Sequence, residues 1–255
     1  MAAISNLEKA TQLINTSCQV VDEDWPEAWY MVDDDKVENQ KCENRLTPNK
    51  PVDVKAMRAL GLQYWKMDAD AYTYPVKSVP WDPKEAPDPR LAALRDERGY
   101  SYADVLTIHP DSLPGYDAHV KNFFTEHIHD AEEIRYILGG SGFFDVRDLK
   151  DKWVRVHVKK GDLMTLPEGI YHRFTVDETN FTHAMRMFIG VPCWTPINRY
   201  TEDADNHPSR KKYVCLYCMP QELVAGGEAA ESENISEERS DAGKIPFCGL
   251  LQSFF

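Results

Sequence analysis

The chain of 255 residues contains no apolar run approaching the roughly twenty residues that a membrane-spanning helix needs. Its first residues, Met1-Ala-Ala-Ile-Ser-Asn-Leu-Glu-Lys-Ala10, lack the basic-then-apolar pattern of a secretory leader, so none is expected. Without that route, Asn15-Thr-Ser17, Asn180-Phe-Thr182 and Asn234-Ile-Ser236 read as chance matches to the glycosylation pattern. Basic side chains are in deficit: 29 Lys and Arg against 42 Asp and Glu leave a net charge of −13. Such a surface repels both nucleic acid and anionic membrane, and neither is expected as a partner. Cysteine is sparse, with six residues scattered at 18, 42, 193, 215, 218 and 248. A chain this long needs no disulfide scaffold, so reduced thiols in a cytosolic setting are expected. Cys215-x-x-Cys218 has no second pair to complete a zinc site and reads as two free thiols.

Apolar and aromatic content suits a real core, and three zones stand out. Residues 1–26 form an extension in which Leu7, Ala10, Leu13 and Ile14 have helical spacing. Residues 27–218 form one domain. Residues 219–255 begin as a stretch of Glu, Ser, Ala and Gly that cannot bury enough to fold, a disordered acidic tail by composition. Within the domain, Ala28–Val32 and Leu62–Met67 read as strands. Asp53–Leu60 reads as a helix with Asp53 as cap and Gly61 as stop. Asp88–Arg98 reads as a helix with a first-turn proline, ended by Gly99. Five prolines between residues 74 and 89 predict extended or turning chain, and Ser101–Leu106 reads as a second helical piece. From about Phe123 to Pro192, strand-like runs at 134–138, 143–147, 153–158, 163–166, 171–176 and 184–189 alternate with glycine-rich or acidic turns. This spacing predicts an antiparallel sandwich or barrel.

The chemistry sits at Glu126-His127-Ile128-His129-Asp130-Ala131-Glu132-Glu133-Ile134-Arg135. Alternate strand residues share a face, so His127 and His129 point together, and after a turn so do Glu133 and Arg135. His172 arrives later, in Gly161-x5-Pro167-x-Gly169-x2-His172. Three imidazoles and a carboxylate suit a redox-capable divalent metal with open positions, converging inside a small barrel. His109, His119, His157, His183 and His207 lack this context. His157, on a neighbouring strand, is the first substitute to consider.

These paired motifs resemble those of the cupin superfamily, and Glu133 to Gly140 fits the continuation of the first motif. Lys121 stands where the general pattern has glycine and Val176 where it has asparagine; neither is a ligand position. The resemblance narrows to the acireductone dioxygenase family. It is carried by Ala28-Trp-Tyr-Met31, Leu62–Asp70, Glu133–Leu138, Gly140–Asp148, Gly161–Thr175, Ala184–Phe188, Trp194 and Asn198-Arg199, and covers roughly residues 27–218.

That resemblance implies a cupin jelly-roll β-barrel, an all-β core with a few N-terminal helices. It implies His127, His129, Glu133 and His172 as ligands of Fe(II), or alternatively Ni(II). The implied substrates are an acireductone of methionine salvage and dioxygen. The iron form would give 4-methylthio-2-oxobutanoate and formate; the nickel form, methylthiopropionate, formate and carbon monoxide. Four protein ligands on an octahedral ion leave two positions that a deprotonated enediol can chelate. Arg135 and Arg186 are candidate catalytic residues for an anionic oxygen, against the plainer reading of salt bridges that orient the carboxylate. Phe123, Phe174, Phe188 and Trp194 are candidates for an apolar pocket around the methylthio tail. A monomer is expected, in the cytoplasm with the nucleus as a second compartment. The alternatives are a cupin turned binding or regulatory protein, and a metal-dependent isomerase or other oxygenase with the same ligands. No ligand position is lost, and the matching blocks outside the metal motifs favour the dioxygenase.

Overall fold

The computed structural model describes residues 24–75, 80–82, 86–190, 192, 195–200 and 203–218. The expected leader helix, the acidic tail and Trp194 lie outside the described residues.

The strands are β1 (Ala28–Tyr30), β2 (Gln63–Lys66), β3 (Pro80–Trp81), β4 (Tyr102–Ile108), β5 (His127–Ile128), β6 (Glu133–Arg147), β7 (Trp153–Lys159), β8 (Asp162–Leu166), β9 (His172–Val176), β10 (Thr182–Phe188) and β11 (Ile197–Asn198). The α-helices are α1 (Val54–Ala59), α2 (Pro89–Arg98), α3 (Tyr116–Phe123) and α4 (Pro208–Tyr213). All strand pairs are antiparallel, as the spacing of short runs and turns predicts.

β6 organises the barrel. Its first half pairs with β8 and β10, and its second half with β7 and β9. One sheet thus runs β1-β7-β6-β9-β5-β11 and the other β2-β8-β6-β10-β4-β3, with β6 common to both. The strand passes from one to the other at Gly139–Gly142. Gly140 has φ +70° there, and a Cβ on it would lie 2.0 Å from the Phe181 carbonyl oxygen. Only a residue without a side chain fits this crossing. A core of Val146, Val154, Val156, Met164, Leu166 and their neighbours fills one region; Tyr136, Leu163, Met185 and Met187 fill a second beneath α2.

Local chemistry explains the helices. Asp53 accepts from the Ala56 amide at 2.7 Å and Asp88 from the Arg90 amide at 2.8 Å, each capping the helix that follows. Gly99 closes α2 in the left-handed region at φ +72°.

Two expectations need correction, and one helix was missed. The 101–106 segment is strand β4, not helix. It lies between β10 and β3 and buries residues on both faces, so the alternation that marks a half-exposed strand is missing. The runs at 134–138 and 143–147 are one 15-residue strand, because the glycines between them bend it without breaking the ladder. Helix α3 was not anticipated, although Tyr116, Val120 and Phe123 have the i, i+4, i+7 spacing of an apolar stripe.

Candidate metal centre

The barrel register brings the two motifs together. His127 on β5 lies directly opposite His172 on β9, and β9 pairs in turn with β6, which places Val146 opposite His172. His129 follows β5, and its carbonyl accepts from the Gly169 amide at 3.1 Å. Glu133 opens β6. Candidate ligand atoms of His127, His129 and His172 lie within 4.8 Å of one another. The Glu133 Oε2 is 3.2 Å from His129 Nε2 and 3.4 Å from His172 Nε2. All four expected ligands therefore come together.

The proton positions follow from the acceptors. His127 Nδ1 donates to the Thr125 carbonyl at 2.7 Å, and His172 Nδ1 to the Ile170 carbonyl at 2.9 Å. A carbonyl oxygen only accepts, so each Nδ1 carries a hydrogen, and in the neutral ring that leaves the Nε2 lone pair directed to the centre. Burial, then the neighbouring His172 and His129, hold His127 well below the usual histidine pKa, in its neutral form. His172 Nε2 is buried with no hydrogen-bond partner and faces a carboxylate oxygen. Burial alone would raise the Glu133 pKa, but the positive surroundings, the Arg135 guanidinium first among them, outweigh it and keep the group well below the carboxylate range. Lone pairs aimed at an anionic oxygen repel unless a cation sits among them, so the donor set fits a divalent ion.

Two guanidiniums stand beside this cluster. Arg135 lies 3.2 Å from Glu133 Oε2 and donates to the Ile134 carbonyl at 2.9 Å. Arg186 is its cross-strand partner on β10 and makes a two-point contact with Asp104 of β4, 2.8 Å at each bond. The cavity above them has a volume of about 230 Å³. Its polar floor is His127, His129, Glu133, Arg135, His172 and Arg186; Leu106, Ile108, Phe123, Ile137, Phe144 and Phe174 form an apolar wall. Of the expected pocket aromatics, Phe123 and Phe174 line it, whereas Phe188 lies under Arg135, 5.9 Å from its guanidinium. His157 is elsewhere, beside Phe143 and 3.6 Å from Asp177.

Sequence reasoning missed what holds the cluster from behind. Glu126 is bonded twice by Arg147, both at 2.9 Å, and once by Arg199 at 2.7 Å, fixing the chain one residue before His127. Arg147 and Arg199 are 21 and 73 residues away in sequence, so no local pattern announces them. Asp104, the partner of Arg186, is equally invisible.

A model described as the ARD/ARD' family matches residues 27–196. The acireductone dioxygenase of Danio rerio is 50% identical over 188 residues, covering 74% of this chain and 94% of the relative. That of Gallus gallus is 48% identical over 188 residues, with the same coverages of 74% and 94%. Acireductone dioxygenase 3 of Physcomitrium patens is 46% identical over 194 residues, 76% of this chain and 87% of that protein. The chain belongs to the acireductone dioxygenase family. Its fold agrees: the acireductone dioxygenase of Bacillus anthracis, solved with a cadmium ion in its active centre, superposes with a TM-score of 0.50 at 22% identity, over 68% of this chain and 98% of that one. As an acireductone dioxygenase family member the chain is a cupin oxidoreductase, a metal-dependent dioxygenase built around a three-histidine cluster. No helix among the described residues is long and apolar enough to cross a membrane.

Proposed function

We propose that the chain converts 1,2-dihydroxy-5-(methylthio)pent-1-en-3-one and dioxygen to 4-methylthio-2-oxobutanoate and formate in methionine salvage. In this reading His127, His129, Glu133 and His172 hold Fe(II). With Ni(II) in the same ligands the products are methylthiopropionate, formate and carbon monoxide. One observation carries the reading: the three imidazoles and the carboxylate converge on one point of a cavity whose remaining lining is mainly apolar.

When bound, the divalent ion supplies a template and Lewis acid that favours the deprotonated, electron-rich enediol. The protein's own groups do the rest. The Thr125 and Ile170 carbonyls orient His127 and His172 with their lone pairs inward. Arg135 holds an anionic oxygen beside Glu133, its charge opposed by burial and supported by that carboxylate. Arg186, fixed by Asp104, adds positive potential from the facing strand. The phenylalanines and aliphatic side chains of the wall take the methylthio tail and keep water from the reacting carbons.

Residues 27–218 form the catalytic unit in this reading, with 1–26 and 219–255 appended to it. The protein acts as a monomer in the cytoplasm, with the nucleus as a second compartment. Free thiols at Cys42, Cys215 and Cys218 favour a reducing setting, and the charge of −13 disfavours nucleic acid and membrane as partners. Size-exclusion chromatography and cell fractionation test those points. The central test is metal analysis of the isolated protein beside product analysis, formate with the keto acid or carbon monoxide. Oxygen uptake should require added Fe(II) and vanish in His127→Ala and in Glu133→Ala. Retained turnover in either variant removes the ligand assignment.

A further inference from the structure

The four-residue turn before His172 is held from an unexpected side. Gly169 donates its amide to the His129 carbonyl at 3.1 Å, and its own carbonyl accepts from Arg210 Nη1 at 3.1 Å. One residue, through the two peptide groups that flank it, thus joins the backbone of one candidate ligand to a side chain on α4. The approach is close: a Cβ on Gly169, at φ +79°, would sit 2.1 Å from the Ser209 carbonyl oxygen. Two residues on, the buried Tyr171 ring is met by two guanidiniums, Arg210 at 4.3 Å and Arg199 at 4.4 Å, and its hydroxyl donates to Asp205 at 2.6 Å. Lys212 bonds Glu168 at 2.6 Å, but on the exposed rim, away from the Gly169 peptide.

We propose that Arg210 is a positioning residue for the metal centre, acting through the Gly169 carbonyl and the Tyr171 ring to hold His129 and His172 in register. The inference rests on the ligand reading above. Arg210 touches neither substrate nor the ion. It fixes Gly169, whose amide bonds His129, and, through the Ile170 carbonyl that orients His172 Nδ1, the direction of the second imidazole. A guanidinium is suited to this because its planar fork bonds the carbonyl at one edge while its face covers the ring. The coupling runs both ways: if docking of α4 favours metal binding, metal binding must favour docking of α4.

The test uses the full chain, freed of metal, and Co(II) as the probe. Affinity is read by competition with a chromophoric chelator, and thermal unfolding of the metal-free protein checks the fold. Arg210→Ala should bind Co(II) about 10- to 100-fold more weakly than the wild type while still unfolding cooperatively. Lys212→Ala, which releases the same turn at its exposed rim, should leave affinity unchanged. Hydrogen exchange on the wild type supplies a readout independent of any variant. Amides of residues 207–213 should exchange more slowly once Co(II) is bound. Wild-type uptake of Co(II) with an unmoved affinity in folded Arg210→Ala overturns the positioning role alone. So does the absence of metal-induced protection over 207–213, which decides the matter if Arg210→Ala does not fold. A wild-type chain that takes up no Co(II) overturns the ligand reading, and the positioning role with it.

Discussion

Asp145 and Arg155 face each other across the β6–β7 ladder, joined by two bonds of 2.7 and 2.8 Å with both side chains fully excluded from water. On the other edge of β6, Arg173 of β9 bonds the same carboxylate at 2.9 Å. Asp145 is therefore the counter-charge of two buried guanidiniums, one on each neighbouring strand. Arg155 also donates to the Gln40 carbonyl at 3.0 Å, and Arg173 reaches Asp34 at 2.9 Å.

Removing that carboxylate should be severe. Asp145→Ala leaves two cations buried without their partner, a change that typically costs about 3–5 kcal/mol. Urea unfolding of the metal-free protein should show a loss of that order with an unchanged slope. A loss well below it would mean that Asp34 and the Gln40 carbonyl compensate unaided.

Gly140→Ala should also destabilise the barrel, by more than ~1 kcal/mol, since alanine at a positive φ loses more than its lower chain entropy returns. The neighbouring Phe181 carbonyl has no flexible end to move aside. The melting temperature is the readout, and a variant as stable as the wild type would show that β6 can cross between the sheets another way.

The metal-free protein should lose stability in mild acid. Burial is the first cause that lowers the pKa of His127, His157 and His183; like charges reinforce it at the first two, the other imidazoles at His127 and Lys159 at His157. Above the unfolded value near 6.5, all three are neutral in both states and the folded protein keeps its full stability. As pH falls through 6.5, the unfolded chain takes up protons that the folded chain refuses, and stability declines until the lower folded values are reached. Replacing His183, whose nitrogens already bond Thr107 and the Pro75 carbonyl, with Gln should flatten this slope without touching the metal cluster. Denaturation midpoints that do not move between about pH 7.5 and about pH 5.5 would contradict the account.

Arg135→Gln separates a catalytic from an orienting role. If the guanidinium stabilises an anionic oxygen, turnover should drop about 10²- to 10³-fold while metal content stays at the wild-type level. If it only steadies Glu133, metal content and turnover should fall together. Metal analysis beside oxygen uptake distinguishes the two.

The convergence of the proposed ligands was legible because metal chemistry demands few residue types and strand geometry spaces them by two. His127, His129 and Glu133 are close in sequence, and the Gly161–His172 element is recognisable by its own turn residues. Helix caps at Asp53 and Asp88 were legible for the same local reason. The failures share the opposite cause. β4 took its identity from burial on both faces, which leaves no alternation to read. β6 continued through glycines that ordinarily signal a stop, because strands on both edges keep its ladder going. The ion pairs behind the site join residues far apart in the chain, and no window of sequence holds both partners.

The four proposed ligand side chains do not stand on equal ground. Glu133 belongs to a strand whose opening residues are bonded to β8 on one edge and β10 on the other, and His127 and His172 steady one another across their own pairing. His129 follows its strand, and its side chain is 21% exposed, against 7% for Glu133 and 3% for His172. A visitor from solution, whether reactant or chelating thief, meets His129 first. Departure of the ion would begin there too, by one imidazole swinging outward, because prising Glu133 loose means unzipping the barrel along two seams at once.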